Sequence, residues 1–127
     1  MAKRRTAQLT KGEAQVMNCL WQLPEMTGTS ADVMALMPEP KPALTTLLTF
    51  LKILTEKGFV QTERQGKSNR FTALMSRETY AGEVVTDVKD TFFGGSFTSL
   101  VSFYAQREHL SESEIEELIS LIKNPNA

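Results

Sequence analysis

The side chains in this chain best suited to chemistry are hydroxyls and cations grouped for recognition. Thr45, Thr46, Thr49 and Lys52 recur within one short stretch, with Lys41 just before it and Arg64, Lys67 and Arg70 after it. A threonine hydroxyl hydrogen-bonds phosphates or base edges, and its methyl packs on a thymine methyl. Lysine and arginine neutralise phosphates. The implied chemistry is non-covalent binding of duplex DNA. Catalysis has no comparable set of residues. Cys19 and His109 are each the sole residue of their type, and they lie in different segments. A nucleophile needs a base within hydrogen-bond reach, so Cys19 reads as core. No Ser/His/Asp set and no phosphate loop is visible, so no enzyme is expected. Glu112, Glu114, Glu116 and Glu117 have no histidines nearby, and read as a solvated face that suits a helix N-terminus. No metal or cofactor is expected.

The elements that must position these residues can be read from the pattern. From Pro40 to Val60 the spacing predicts one helix, with Pro42 at its first position and Gly58 just past its end. Leu44, Leu47, Leu51 and Leu54, with Phe50 beside them, recur at helical spacing and predict the buried face. Thr45, Thr49, Lys52 and Glu56 then fall opposite, with Thr46 at the edge.

Two helices precede it. Thr10-Lys11-Gly12-Glu13 is a capping box, followed by the apolar stripe Val16, Met17, Leu20 and Trp21. Ser30 or Thr29 caps a short helix through about Met37, with Val33, Leu36 and Met37 inward. Pro38 and Pro40 end it. After Gly58, Phe59 to Arg64 and Asn69 to Ala73 read as a strand pair around Gln65-Gly66-Lys67-Ser68. Arg64, Lys67 and Arg70 cluster at the hairpin tip. Helix, turn, helix and hairpin is the order of a winged helix-turn-helix, in which the second helix of the pair enters the major groove.

Charge divides the chain. Residues 1–75 carry ten Lys/Arg and six Asp/Glu, a balance of +4, and residues 76–127 carry four and nine, a balance of −5. The expected organisation is a DNA-binding domain over 1–75 and a helical dimerisation region over 76–127. No apolar run approaches the ~18 residues of a membrane span. Met-Ala-Lys-Arg-Arg has no apolar stretch behind it, and one cysteine forms no internal disulfide, so a cytoplasmic protein without membrane insertion is expected.

The acidic half reads as three helices. One runs from a Ser76 cap to about Phe93, with Tyr80, Ala81, Val84, Val88 and Phe92 inward, and Gly94-Gly95 stops it. The second starts near Ser96 and shows Phe97, Leu100, Val101 and Tyr104. The third opens on the capping box Ser111 to Glu114 and lines Ile115, Leu118, Ile119 and Ile122 along one face. Three helices in so short a segment bury only part of their apolar surface, so a second copy is the expected partner.

The ordered set resembles the penicillinase repressor family. The resemblance rests on Leu9-Thr10-Lys11-Gly12-Glu13, Val16-Met17, Leu20-Trp21, and Thr46, Thr49 and Leu51. It continues through Leu54 to Val60, Phe92-Phe93-Gly94-Gly95, Ser99-Leu100-Val101 and Ser113 to Leu118. It covers nearly the whole chain. The resemblance implies a cytoplasmic homodimeric repressor that binds a palindromic operator through its winged helix. In drug-responsive members a membrane-bound sensor metalloprotease triggers a cut in the dimerisation region. That step usually falls between asparagine and phenylalanine, and the matching pair here is Phe103-Tyr104. Copper-responsive members carry a C-terminal cysteine pattern, which this chain lacks. Leu48 and Ile53 stand where relatives often carry arginine. The competing reading is a winged-helix docking module for proteins, which those two apolar residues would suit.

Overall fold

The computed structural model describes residues 8–126, so the basic Lys3-Arg4-Arg5 arm lies outside the described residues. The fold is mainly helical with a small antiparallel sheet, as expected of a winged helix followed by a helical region. The helix expected between Pro40 and Val60, here α3, runs Leu44–Glu56. Its Leu47, Leu51 and Leu54 are fully buried, each worth about 1.5–3 kcal/mol of apolar transfer. Its C-terminus is a Schellman motif. The Phe59 N–H donates to Leu54 O at 2.9 Å and the Gly58 N–H to Thr55 O at 3.1 Å, with Gly58 at φ 88°. Only a residue free of Cβ adopts that conformation without strain. The N-terminus differs from expectation. Ala43 is the N-cap, with no side-chain hydrogen bond, so Pro42 precedes the helix instead of opening it. Leu44 is 53% exposed and not part of the buried face, because it occupies the first helical position, a turn before the packed Leu47 and Leu51.

The helix α1, Lys11–Gln22, closes its N-terminus with the complete Thr10–Glu13 capping box. The short α2, Ser30–Leu36, is capped by Thr29, whose hydroxyl accepts from the Asp32 N–H while Asp32 reaches back. Leu36, expected inward, is 41% exposed; it is the last residue of a seven-residue helix and at about 100° per residue falls to one side of the buried Val33 and Met37. Val16, Met17 and Leu20 of α1, Val33 of α2 and the three α3 leucines meet in one core with Phe59, Val60 and Phe71. Cys19 lies in it, 2% exposed, with Sγ 3.5 Å from Met37 Sδ.

The sheet has three strands in the order β1-β3-β2: β1 Thr27–Gly28, β2 Val60–Gln65 and β3 Ser68–Ala73. The expected hairpin is β2-β3, paired from Val60↔Ala73 to Gln65↔Ser68. The added β1 pairs Thr27↔Thr72 and Gly28↔Phe71; the sequence reads there as a loop, since two residues show no period. The Trp21 indole N–H donates to Met75 O at 2.9 Å, which fastens the exit of β3 to α1.

The next helix, α4, runs Arg77–Phe92, and the Ser76 hydroxyl accepts from the Thr79 N–H at 3.0 Å. Two compact units divide between Val84 and Val85. The first two turns of α4 therefore group with the winged unit, beyond the expected domain end at residue 75. Tyr80 accepts a 2.8 Å hydrogen bond from the Leu9 N–H, and its ring meets Phe59 edge-on at 5.5 Å and Trp21 at 6.3 Å. Along α4, Val84 and Val88 are half-buried, while Ala81 and Phe92, expected inward, are exposed.

The second unit contains the end of α4, α5 Phe97–Arg107 and α6 Glu112–Lys123. Ser96 caps α5, and Ser111 with Glu114 completes the capping box of α6. The turn after α5 repeats the Schellman pattern, with Leu110 N–H to Ala105 O and His109 N–H to Gln106 O. The left-handed residue is His109 at φ 54°.

Candidate nucleic-acid interface

The geometry of the site begins with α3. Thr45, Thr46, Thr49 and Lys52 are all exposed, and at about 100° per residue Thr45, Thr49 and Lys52 share the face directly opposite the buried leucines. Thr49 Oγ1 donates to Thr45 O at 2.9 Å. The first turn of α3 carries no acidic side chain, so its N-terminal amides present uncompensated positive potential.

The wing is held beside this face. Thr55 and Thr62 hydroxyls lie 2.8 Å apart and join α3 to β2. Between them and the hairpin runs a groove of about 520 Å³ lined by Leu48, Lys52, Glu56, Asn69 and Phe71, among others. A smaller groove, about 310 Å³, continues from Leu48 and Asn69 to Lys67 and the start of α2 at Thr29 and Ser30. Lys52 and Lys67 thus border one continuous surface. Thr62, Asn69 and Ser30 also belong to it, beyond the residues expected from the sequence. Strand alternation is the signal for Thr62 and Asn69, since both share the Phe71 side of the hairpin; nothing local marks Ser30.

The hairpin cations separate. Arg64 pairs across the ladder with Asn69 and shares the α3 side of the sheet with Thr62. Its Nε donates to Gly66 O at 2.9 Å, bracing the turn. Arg70 pairs with Glu63 on the opposite side. There it donates to Gln65 Oε1 at 3.2 Å and to Thr27 Oγ1 at 3.4 Å. Lys41 has a structural task at the front of α3. Its Nζ donates to Met34 O, Ala35 O and Met37 O at 2.8, 3.3 and 3.0 Å, satisfying the carbonyls at the end of α2. This fixes the turn between the two helices.

Three groups depart from their ordinary titration for local reasons. Burial pushes the Glu13 carboxyl up, but hydrogen bonds from Lys57 and the Thr10 N–H outweigh it and leave its pKa below the ordinary value. That carboxylate lies 2.7 Å from Lys57 Nζ, so the start of α1 and the end of α3 are pinned together. The Thr29 amide and hydroxyl hold Asp32 below its usual range, with Arg70 adding to the effect. Burial pushes the Cys19 thiol up, which leaves it protonated and unreactive. Among the described residues no cluster of His, Cys, Asp or Glu could hold a metal.

In the second unit no described residue is fully buried. Phe97, Leu100, Val101 and Tyr104 of α5 line a mainly apolar groove of about 520 Å³ with Leu118 and Ile122 of α6, and Glu108 is also in its lining. Six of the eight expected dimerisation residues are thereby brought together, while Ile115 and Ile119 lie outside the groove lining, 40% and 46% exposed. Phe103 packs its ring 5.2 Å from that of Phe93.

A profile of the penicillinase repressors matches residues 9–124. This chain belongs to the penicillinase repressor family. The family is one of transcriptional repressors, some of them regulators of antibiotic resistance. Among similar proteins are the methicillin resistance regulatory proteins MecI of Staphylococcus aureus strain N315 and of Mammaliicoccus sciuri. Each is 23% identical over 118 residues, covering 93% of this chain and 95% of the relative. The match of this repressor spans both units, so the winged unit and the apolar helical unit belong to one family architecture. No helix among the described residues is long and apolar enough to cross a membrane.

Proposed function

We propose that this repressor is a homodimer that binds a palindromic double-stranded operator in the cytoplasm, with α3 in the major groove and the wing on the phosphates. The observation that carries this reading is the open Thr45–Thr49–Lys52 face of α3, with Lys67 of the wing on the adjoining groove and Arg64 opposite Asn69 on the same side of the hairpin. Thr46 lies at the edge of that face, and Lys41 sets its angle by holding the preceding turn. Arg70 supplies phosphate charge from the other side of the hairpin. The apolar groove of the second unit supports the dimer, since two copies exchanging α5 and α6 would cover it. Two-fold symmetry then presents two α3 helices to half-sites about one helical turn apart. Selection of bound sequences from random duplex DNA, followed by footprinting, tests the reading. A protected inverted repeat is expected; an absence of preference for any sequence at moderate salt would sink it. Alanine at Thr46, Thr49 or Lys52 should cost about 1–3 kcal/mol wherever the native side chain touches a base edge.

Release is assigned to a cut between Phe103 and Tyr104, triggered indirectly by a membrane sensor protease. Both residues lie in the middle of α5, and Tyr104 is among the groove residues. The cut would sever α5 and detach α6, removing the dimer surface without touching the reading face. A helical bond must open locally before a protease accepts it, so the free protein should be cut faster than the DNA-bound dimer. Mass spectrometry of the protein from induced cells checks this. Fragments ending at Phe103 are expected, and a chain that stays intact throughout induction excludes it.

One observation favours a second reading. Leu44 and Leu48, 53% and 40% exposed, place apolar surface on α3 itself, as a docking module for another protein would. Binding to duplex DNA that weakens with salt separates the two, because docking through leucines would not show it.

A further inference from the structure

Resting on the DNA-binding reading above, we propose that α3 reads its half-site through thymine methyl groups, so that the operator core is a run of T·A pairs and not a guanine-centred motif. The recognition helix Leu44–Glu56 contains no Arg, Asn or Gln. Bidentate reading of guanine uses Arg or Lys, and that of adenine uses Asn or Gln. Lys52 is therefore the one α3 side chain able to grip a guanine by the two-bond geometry, which limits α3 to one such contact per half-site. The first two turns offer something else. Leu48 is 40% exposed beside Thr45 and Thr49. Thr49 spends its hydroxyl proton on Thr45 O at 2.9 Å, so it is left with an acceptor and a methyl at the surface. Of the base edges in the major groove, only thymine presents an apolar group there, its C5 methyl. Leu48 also borders both grooves between α3 and the wing, so a methyl entering there meets apolar carbon on more than one side. Covering a thymine methyl against Leu48 and Thr49 removes apolar surface from water on both partners.

The experiment uses the full-length protein and the best duplex from random selection. Each thymine in a half-site is replaced in turn by deoxyuridine, which deletes the methyl and leaves every hydrogen-bonding group in place. Affinity should fall about fourfold for each methyl covered, the factor corresponding to about 0.8 kcal/mol per apolar carbon. Leu48→Ala should abolish the deoxyuridine effect at one or two positions while retaining it elsewhere. Selected half-sites centred on guanine, or deoxyuridine duplexes that bind as tightly as the parent, would overturn the inference and leave operator binding intact. Failure to select any sequence at all would overturn operator binding itself, and this inference with it.

Discussion

Replacing Lys57 by methionine should destabilise the winged unit more than replacing Glu13, its partner, by glutamine. Glu13 is 4% exposed, and its carboxylate accepts from Lys57 Nζ at 2.7 Å and from the Thr10 N–H at 3.0 Å. The Lys57 side chain is 28% exposed against 6% for that of Glu13. Losing one partner of a fully buried pair costs about 3–5 kcal/mol, and losing a surface pair costs about 0.2–1 kcal/mol. This pair lies between those limits, because Glu13 keeps the Thr10 amide and Lys57 reaches water. Lys57→Met should therefore cost about 2 kcal/mol, since it strands a buried carboxylate. Glu13→Gln should cost about 1 kcal/mol, because the amide oxygen still accepts from Thr10 and the ammonium turns to solvent. The double variant should be no worse than Glu13→Gln alone. Trp21 is the only tryptophan and lies in this unit, so urea unfolding followed by its fluorescence reads the effect directly. The pH dependence has a definite sign. The folded pKa of Glu13 is lowered, so its stabilisation is present above the unfolded carboxylate pKa and is lost as pH falls through the folded one. Glu13→Gln should flatten that acid limb. Equal losses below about 0.5 kcal/mol in both single variants would refute the reasoning and make the contact an ordinary surface pair.

Further outcomes are expected. A fragment of residues 1–84 should exceed one of residues 1–75 in stability by about 2 kcal/mol, from the burial and hydrogen bond of Tyr80; urea unfolding compares them. The same 1–84 fragment should be monomeric by sedimentation and bind an operator duplex about 10²–10⁴ times more weakly than the full chain. Lys67→Ala should weaken all duplexes alike and reduce the slope of log affinity against log salt by about 1 for each phosphate no longer neutralised, measured by titration across salt concentrations. His109→Gly should raise the melting stability of the second unit by about 1 kcal/mol, because φ 54° strains a residue with a Cβ; calorimetry of the full chain reads it.

Elements whose signals lie within a turn or two of chain are legible before any packing is known. The capping boxes at Thr10 and Ser111 mark two helix starts because both partners of each box are three residues apart, whereas at α2 the sequence leaves Ser30 or Thr29 as the cap and the fold selects Thr29. Gly58 marks the end of α3 because the turn needs a left-handed residue. The Thr45, Thr49 and Lys52 face follows from helical period alone, once Leu47, Leu51 and Leu54 are assigned to the core. Everything that depends on which faces meet waits for the fold. Leu44 shares the period of the buried leucines, yet stands open because no element among the described residues covers it. Arg64 and Arg70 read as one cluster until strand pairing places them on opposite sides of the hairpin. Thr27-Gly28 is too short to announce a strand and becomes one only when β3 supplies its partner. Lys41 reads from the sequence as a DNA-contacting cation and Glu13 as half of a capping box, and their further tasks follow from carbonyls and an ammonium that the fold delivers to them. Glu13 and Lys57 are 44 residues apart in the chain, and no local pattern joins them. Their pairing exists only because α1 and α3 pack on the same core.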